Sequence, residues 1–318
     1  MFITDSPIKH SGFLFLVKVK TQHIACLLMI NIQILRKLCF SPFMILFFIF
    51  VVYPVLKAIW FSFTDYNVLE KANFVGLSNY QKLFLDDSTF ITAIKNTFII
   101  AVIVGPGGYI MSFLLAWMIN ELPHKVGTVL TVIFYAPSMA GTAVISVFTM
   151  IFSNDSNGYL NAMLRNLGMS SIKWLSDSDY VMIVVILASL WMSMGVGFLS
   201  FVAGIKGVDE AQYEAGAIDG IRNRWQELWY VTLPNMRPQL LFGAVMTITS
   251  SLSVGSIGDS LVGFPSPNYA THTIVNHLND YGSIRMEMGY ASAIAVILFL
   301  VMIICNGLIQ KLLRKVGT

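Results

Sequence analysis

Glu214 and Asp219 stand close together in the run GVDEAQYEAGAIDGIRNRWQELWYVTLPNMRP (residues 207–238), beside Gly216 and Gly220. Carboxylates placed this way offer charge to Arg or Lys side chains of another molecule. The two glycines permit close backbone approach or a sharp turn. The chemistry of this run is docking. A second set of residues is uncharged: Thr247, Thr249, Ser250, Ser251, Ser253 and Ser256 lead to Asp259, Ser189, Trp191, Ser193 and Ser200 precede them, and Tyr290, Ser292 and Asn306 follow. Hydroxyls and amides bind through hydrogen bonds, although Ser and Thr in apolar helices serve packing equally well. Bond-making chemistry finds no support. All five His lie outside the long apolar runs, and Asp259 has no second carboxylate within them. No Gly-Lys dipeptide exists to form a phosphate-cradling loop, so no ATP site is expected in this chain. Cys26, Cys39 and Cys305 are widely spaced, and His272 and His277 are five apart rather than at the i, i+4 spacing of a helical metal site. No metal is expected, and both His are read as loop polarity.

The elements that must position these residues belong to a membrane. With 56% hydrophobic and 12% charged residues and a mean hydropathy of +0.72, the chain has too little charge to cover a soluble globule. The formal charge of +3 is small, and no nucleic-acid partner is expected. Six runs reach the roughly 20 residues that a crossing needs: Phe40 to Phe63, Thr97 to Asn120, Val126 to Phe152, Val181 to Ile205, Leu240 to Ser260 and Tyr290 to Leu312. The expected class is an all-α, multi-pass membrane protein with six transmembrane helices.

Basic residues set the orientation. Arg36 and Lys37, then His124 and Lys125, then Lys206, Arg222, Arg224 and Arg237, then Lys311, Arg314 and Lys315 fall on one side of six crossings, which makes both termini cytoplasmic. The opposite loops carry Asp65, Asp86, Asp87, Asp155, Asp177 and Asp179. Residues 13–35 are apolar but interrupted by Lys18, Lys20 and His23, so residues 1–37 are read as a cytoplasmic segment with an interfacial helix, and 38–318 as the membrane domain. The spans from Thr97 to Gly258 are almost free of ionisable groups, whereas ion-coupled carriers keep such groups at mid-membrane. A secondary carrier for a small polar solute is the alternative this disfavours. If transport is active, the energy enters through another chain.

That places the weight on residues 207–238. Asp209 followed by Gln212 has the form of a capping box, a helix is expected from Glu210 to Ile218, and Gly220 sits where a helix terminates. A second helical stretch is expected from Asn223 to Thr232, ahead of Pro234, with Pro238 restarting the chain at the fifth span. Two short helices would form a ledge joined to the fourth and fifth spans.

YEAGAIDG followed by RWQELWYVTLP resembles the cytoplasmic signature of the permease subunits of binding-protein-dependent ABC importers, with Glu214, Ala215, Gly220, Val231, Leu233 and Pro234 on the pattern. Gly216 stands where a second Ala is usual, and the interval from Gly220 to Pro234 is about one residue longer than in the commonest members. SPFMILFFIFVVYPVLKAIWFSFTDYN and FVGLSNYQKLF resemble the carbohydrate-uptake branch of the maltose type. GFPSPNYATHTIVNHLNDYGSIRMEMGYASAIAVILFL is similar to permeases for oligosaccharides, including the alginate kind. The resemblance implies a type I importer transmembrane domain paired with a second permease in a heterodimer. It further implies two ATPase subunits that bind ATP and Mg²⁺ and an extracytoplasmic sugar-binding protein. It makes the helix around Glu214 a coupling helix, with Glu214, Ala215, Gly216, Asp219, Gly220, Leu233 and Pro234 as coupling residues, in a prokaryotic inner membrane. For a sugar path, hydroxyls and amides with an aromatic face point to Trp191, Ser193, Thr249, Ser253, Asp259, Tyr290 and Asn306.

Overall fold

The computed structural model describes residues 40–154 and 158–313. The expected N-terminal segment, its interfacial helix, Asp155, Arg314 and Lys315 lie outside the described residues. The chain divides into two compact units between Ala58 and Ile59. In the first unit the described residues form the apolar helix α1 (Phe40–Phe61), whose last turn runs into the second. A wide turn, Phe48–Val52, interrupts its regular pitch.

The second unit is helical, and an isolated antiparallel bridge between Thr64 and Phe74 is the one extended pairing among its described residues. The long helix α2 (Ser88–Asn120) starts where Asp87 accepts a hydrogen bond from the Phe90 N–H at 2.9 Å, the cap expected of Asp at this position. It runs through Pro106 without ending. The helices α3 (His124–Ala140) and α4 (Ile145–Ile151) are separated by a 94° bend across Gly141–Val144, where Gly141 adopts φ 56°. After α5 (Tyr159–Asn166), α6 (Ser178–Met192) and α7 (Val196–Lys206) form one apolar stretch broken at Ser193–Gly195. The docking run supplies α8 (Glu210–Ile218) and α9 (Arg224–Glu227). The helices α10 (Arg237–Leu252) and α11 (Ser256–Val262) meet at a 47° bend. The helix α12 (Ile274–Asn279) precedes α13 (Met288–Leu313).

Among the described residues, four helical stretches are long and apolar enough to cross a membrane, and the two bent pairs bring this to six if each pair crosses once. The core lies where α10 packs on α2, α7 and α13, and where α2 packs on α6 and α7. Small residues set these contacts. A Cβ on Gly243 of α10 would overlap the Phe201 ring of α7, and one on Gly108 of α2 would overlap Ser193. Absent side chains let backbones approach, the usual device of helix packing in lipid. The run Gly105–Gly108 is therefore a close helix contact.

Candidate functional site

Three groups of polar residues occupy different depths of the second unit. The first is the ledge of residues 207–238. Asp209 caps α8 by accepting from the Ala211 N–H at 3.1 Å. The expected box does not close, because the Gln212 side chain is taken by the Asn235 amide instead. The helix ends as Gly220 predicts. Gly220 has φ 95°, the Ile221 N–H donates to the Gly216 carbonyl at 3.0 Å and the Gly220 N–H to the Ala217 carbonyl at 3.3 Å. These two bonds are the Schellman pair, which requires a left-handed residue at its centre. They fold Ile221 over Gly216, where an added Cβ would lie 3.0 Å from Ile221 Cδ1 and 3.2 Å from Val231 Cγ2. Glycine rather than alanine at 216 thus fits the tight stacking of the ledge.

The second ledge helix is shorter than its expected span. Asn223 caps α9 through the Gln226 N–H at 2.8 Å, and after Glu227 the backbone widens over Leu228–Thr232. Pro234 explains this, since its ring has no N–H to donate and excludes the carbonyl four residues earlier. Tyr213 and Thr232 hydroxyls meet at 3.0 Å and join α8 to the widened stretch after α9. Glu214, Ala215, Asp219, Gly220 and Pro234 are exposed, Leu233 is half-buried and Gly216 is buried. Ile218 is 86% exposed on the same short helix. The ledge is also tied to α2: Arg224 reaches Glu121 at 3.2 Å and Glu227 at 2.7 Å, and Trp117 packs on Trp225 at 5.0 Å between ring centres.

The second group surrounds a cavity of about 470 Å³ lined by residues of α2, of the α6–α7 break and of the α10–α11 bend. Hydroxyls of Ser189, Ser193, Thr247, Thr249, Ser250, Ser251, Ser253 and Ser256 line it beside Val104, Met192, Met246 and Ile257. Both interruptions, Ser193–Gly195 and Ser253–Gly255, sit at its wall. Irregular backbone within a membrane is tolerated where it lines a polar cavity, and broken helices facing one cavity are a common construction of solute sites.

Of the residues selected from sequence for a solute path, Ser193, Thr249 and Ser253 line this cavity. The amide of Asn306 donates to Thr249 Oγ1 at 3.3 Å. Asp259 is half-buried in α11, one turn beyond Ser256. Trp191 packs on Phe148 at 5.3 Å and is not among the lining residues. Tyr290 belongs elsewhere.

It belongs to the third group, at the end of α2 remote from the ledge. Asp87 Oδ2 accepts from Tyr290 Oη at 2.8 Å and from His277 Nε2 at 2.9 Å, and His277 Nδ1 lies 3.1 Å from His272 Nε2. With His277 donating to the carboxylate, its other nitrogen accepts from His272, whose Nδ1 is left buried without a partner. Burial alone would raise the Asp87 carboxyl, but the Phe90 N–H, Tyr290 O–H and His277 hold it below the ordinary carboxylate range. Burial pushes the His272 imidazole down to about 4, and burial also lowers His277 against the pull of Asp87. The reading of these His as loop polarity is corrected here: both are 2% exposed. The signal was Thr273 three residues before Asn276, which close a capping box on α12 and hold His272 and His277 inward. No group of His, Cys, Asp or Glu suited to a metal ion occurs among the described residues.

Residues 108–317 match the family described as binding-protein-dependent transport system inner membrane component. The arabinooligosaccharides transport system permease protein AraP of Bacillus subtilis (strain 168) is 29% identical over 278 residues, 86% of each chain. The probable ABC transporter permease protein YesP of the same organism is 30% identical over 282 residues, 87% of this chain and 88% of the relative. A solved bacterial ABC transporter involved in the import of the acidic polysaccharide alginate superposes with a TM-score of 0.76 at 24% identity, covering 92% of this chain and 100% of that one.

Proposed function

We propose that this chain, which belongs to the family of binding-protein-dependent transport system inner membrane components, is the permease subunit of an ATP-driven importer for a carbohydrate, the cargo class of its relative AraP. The chain is a transport component and not itself an enzyme. ATP and Mg²⁺ are bound by partner ATPase subunits, a second permease completes the path, and an extracytoplasmic binding protein delivers the sugar. In this reading each bent pair crosses once, giving six crossings of the inner membrane, and the basic residues beside the ledge put both termini in the cytoplasm. Residues 38–318 are the transmembrane domain, and 207–238 are its cytoplasmic loop.

The ledge carries this reading. It is a capped, terminated helix whose outward residues Glu214, Ala215, Ile218 and Asp219 have none of the described residues packed over them. It is continuous with the fourth and fifth stretches and pinned to α2 through Arg224. An ATPase groove seated on it would pass nucleotide-driven closure to three helices at once. The carboxylates of Glu214 and Asp219 would meet basic side chains there, and the exposed left-handed Gly220 allows the partner to come close. The cavity at the two helix breaks is the solute path of this chain, with Ser193, Thr249 and Ser253 on its wall.

Pull-down from mild detergent followed by ATPase assays tests the proposal. An ATPase subunit is expected to co-purify. Glu214→Lys or Gly220→Trp is expected to abolish binding-protein-stimulated hydrolysis while the chain remains inserted. Normal stimulation in both variants refutes the role given to the ledge.

A further inference from the structure

We infer that the cavity wall selects uncharged, hydroxyl-rich solutes and rejects uronic or otherwise anionic ones, an inference that rests on the carbohydrate reading of the same cavity. The wall has eight hydroxyls, and the protons of six of them are already committed. Ser189 Oγ lies 2.6 Å from the Val185 carbonyl, Ser193 Oγ 2.6 Å from that of Leu190 and Thr247 Oγ1 2.7 Å from that of Gly243. Ser250, Ser251 and Ser253 repeat the pattern at 2.8 to 2.9 Å. Two acceptor oxygens at such distances need the hydroxyl proton between them. What these six groups present outward is lone pairs.

A sugar hydroxyl can donate to such a wall. A carboxylate cannot, because it only accepts, and Thr249 and Ser256 are the two lining hydroxyls left to donate to it. No Lys, Arg or His lines the cavity, and the nearest carboxylate along α11 is Asp259.

One feature pulls the other way. The helix α7 begins at the cavity with Val196 and Gly197, and a helix start favours an anion weakly and only within its first turn. Taking a carboxylate out of bulk water with no cation to meet it is the larger cost. The second effect wins. The open amides at the start of α7 instead serve as donors to a neutral ring or hydroxyl oxygen. The start of α11 is answered by Asp259 in its own first turn.

The test is equilibrium binding to the intact permease–ATPase assembly in detergent, without binding protein, so that the wall and not the delivery protein sets the preference. The probes are matched trisaccharides differing only at C6: galactotriose against trigalacturonate, and glucose trimers against their uronic counterparts. Neutral trimers are expected to bind at least tenfold tighter. Ser253→Lys, which sets an ammonium on an exposed wall position, is expected to raise uronate affinity at least tenfold, whereas Ser253→Gln does not. Equal or tighter binding of uronates to the native assembly overturns the inference and leaves the permease reading intact. Failure of every trimer to bind overturns both the inference and the carbohydrate assignment, while the ATPase tests of the ledge still stand on their own.

Discussion

Replacing Asp87 by Ala removes one carboxylate and strands three donors. The Phe90 N–H loses its cap on α2, and the Tyr290 O–H and His277 N–H lose their acceptor. A lost cap costs about 1 kcal/mol. Each buried donor left without a partner costs about 1–3 kcal/mol, and this range applies because the His277 side chain is only 3% exposed. The total is about 3–7 kcal/mol. For a domain of this size each kcal/mol moves the midpoint by roughly 2–4 °C, so the Asp87→Ala assembly should unfold at least about 6 °C lower. The assay is thermal unfolding of the detergent-purified assembly by intrinsic fluorescence. Asp86→Ala is the control, since Asp86 is exposed beside it and its loss should move the midpoint by no more than about 1 °C. If Asp87→Ala stays within 2 °C of the native assembly, or falls no further than Asp86→Ala, the clasp is not holding this end of the molecule.

The same group predicts acid sensitivity. His272 is held neutral down to about pH 4, while in the unfolded chain it takes up a proton near 6.5. Its stability contribution is therefore complete above 6.5 and is lost as the pH falls toward 4, by about 3 kcal/mol in all. His272→Phe should flatten the midpoint-against-pH curve in that window, and an unchanged slope refutes the assignment. Gly243→Ala should lower the yield of folded protein and destabilise by about 1–3 kcal/mol through overlap with Phe201, and size-exclusion profiles with thermal midpoints check it. Arg224→Gln breaks exposed ion pairs worth about 0–1 kcal/mol, so the midpoint should hold within about 2 °C while stimulated hydrolysis falls by at most about fivefold. A loss of hydrolysis as complete as that expected for Gly220→Trp would mean that Arg224 does more than pin the ledge to α2.

What the sequence made legible was local. The bounds of α8 follow from Asp209 and Gly220, which act within a turn of themselves, so the helix falls where the capping residues put it. Long apolar runs announce their own spans. The breaks at Ser193–Gly195 and Ser253–Gly255 leave no such mark, because no charged residue or proline stands at them and the backbone there answers to neighbouring helices. Thr97 was too late a start for the second stretch, since the polar turns from Ser88 are held by Asp87 and packed through Phe90 and Ala93. The clasp joins Asp87 to His277 across most of the chain, and no local pattern encodes such a pairing. Tyr290 read as a possible sugar platform because it is aromatic, yet in the fold its hydroxyl is spent on Asp87. Trp191 was selected on the same ground and packs on Phe148.

The interrupted backbone at Ser193–Gly195 and Ser253–Gly255 also bears on water. The polar groups at these breaks line a cavity with room for water when no solute is present, which sets a small polar chamber inside a bilayer. Such a chamber threatens any ion gradient across the same membrane. The lining answers the threat by composition: Val104, Val196, Met246 and Ile257 bind no water, and no lining side chain changes its charge near neutral pH. Hydration for the cargo and insulation for the cell thus come from the same uncharged wall.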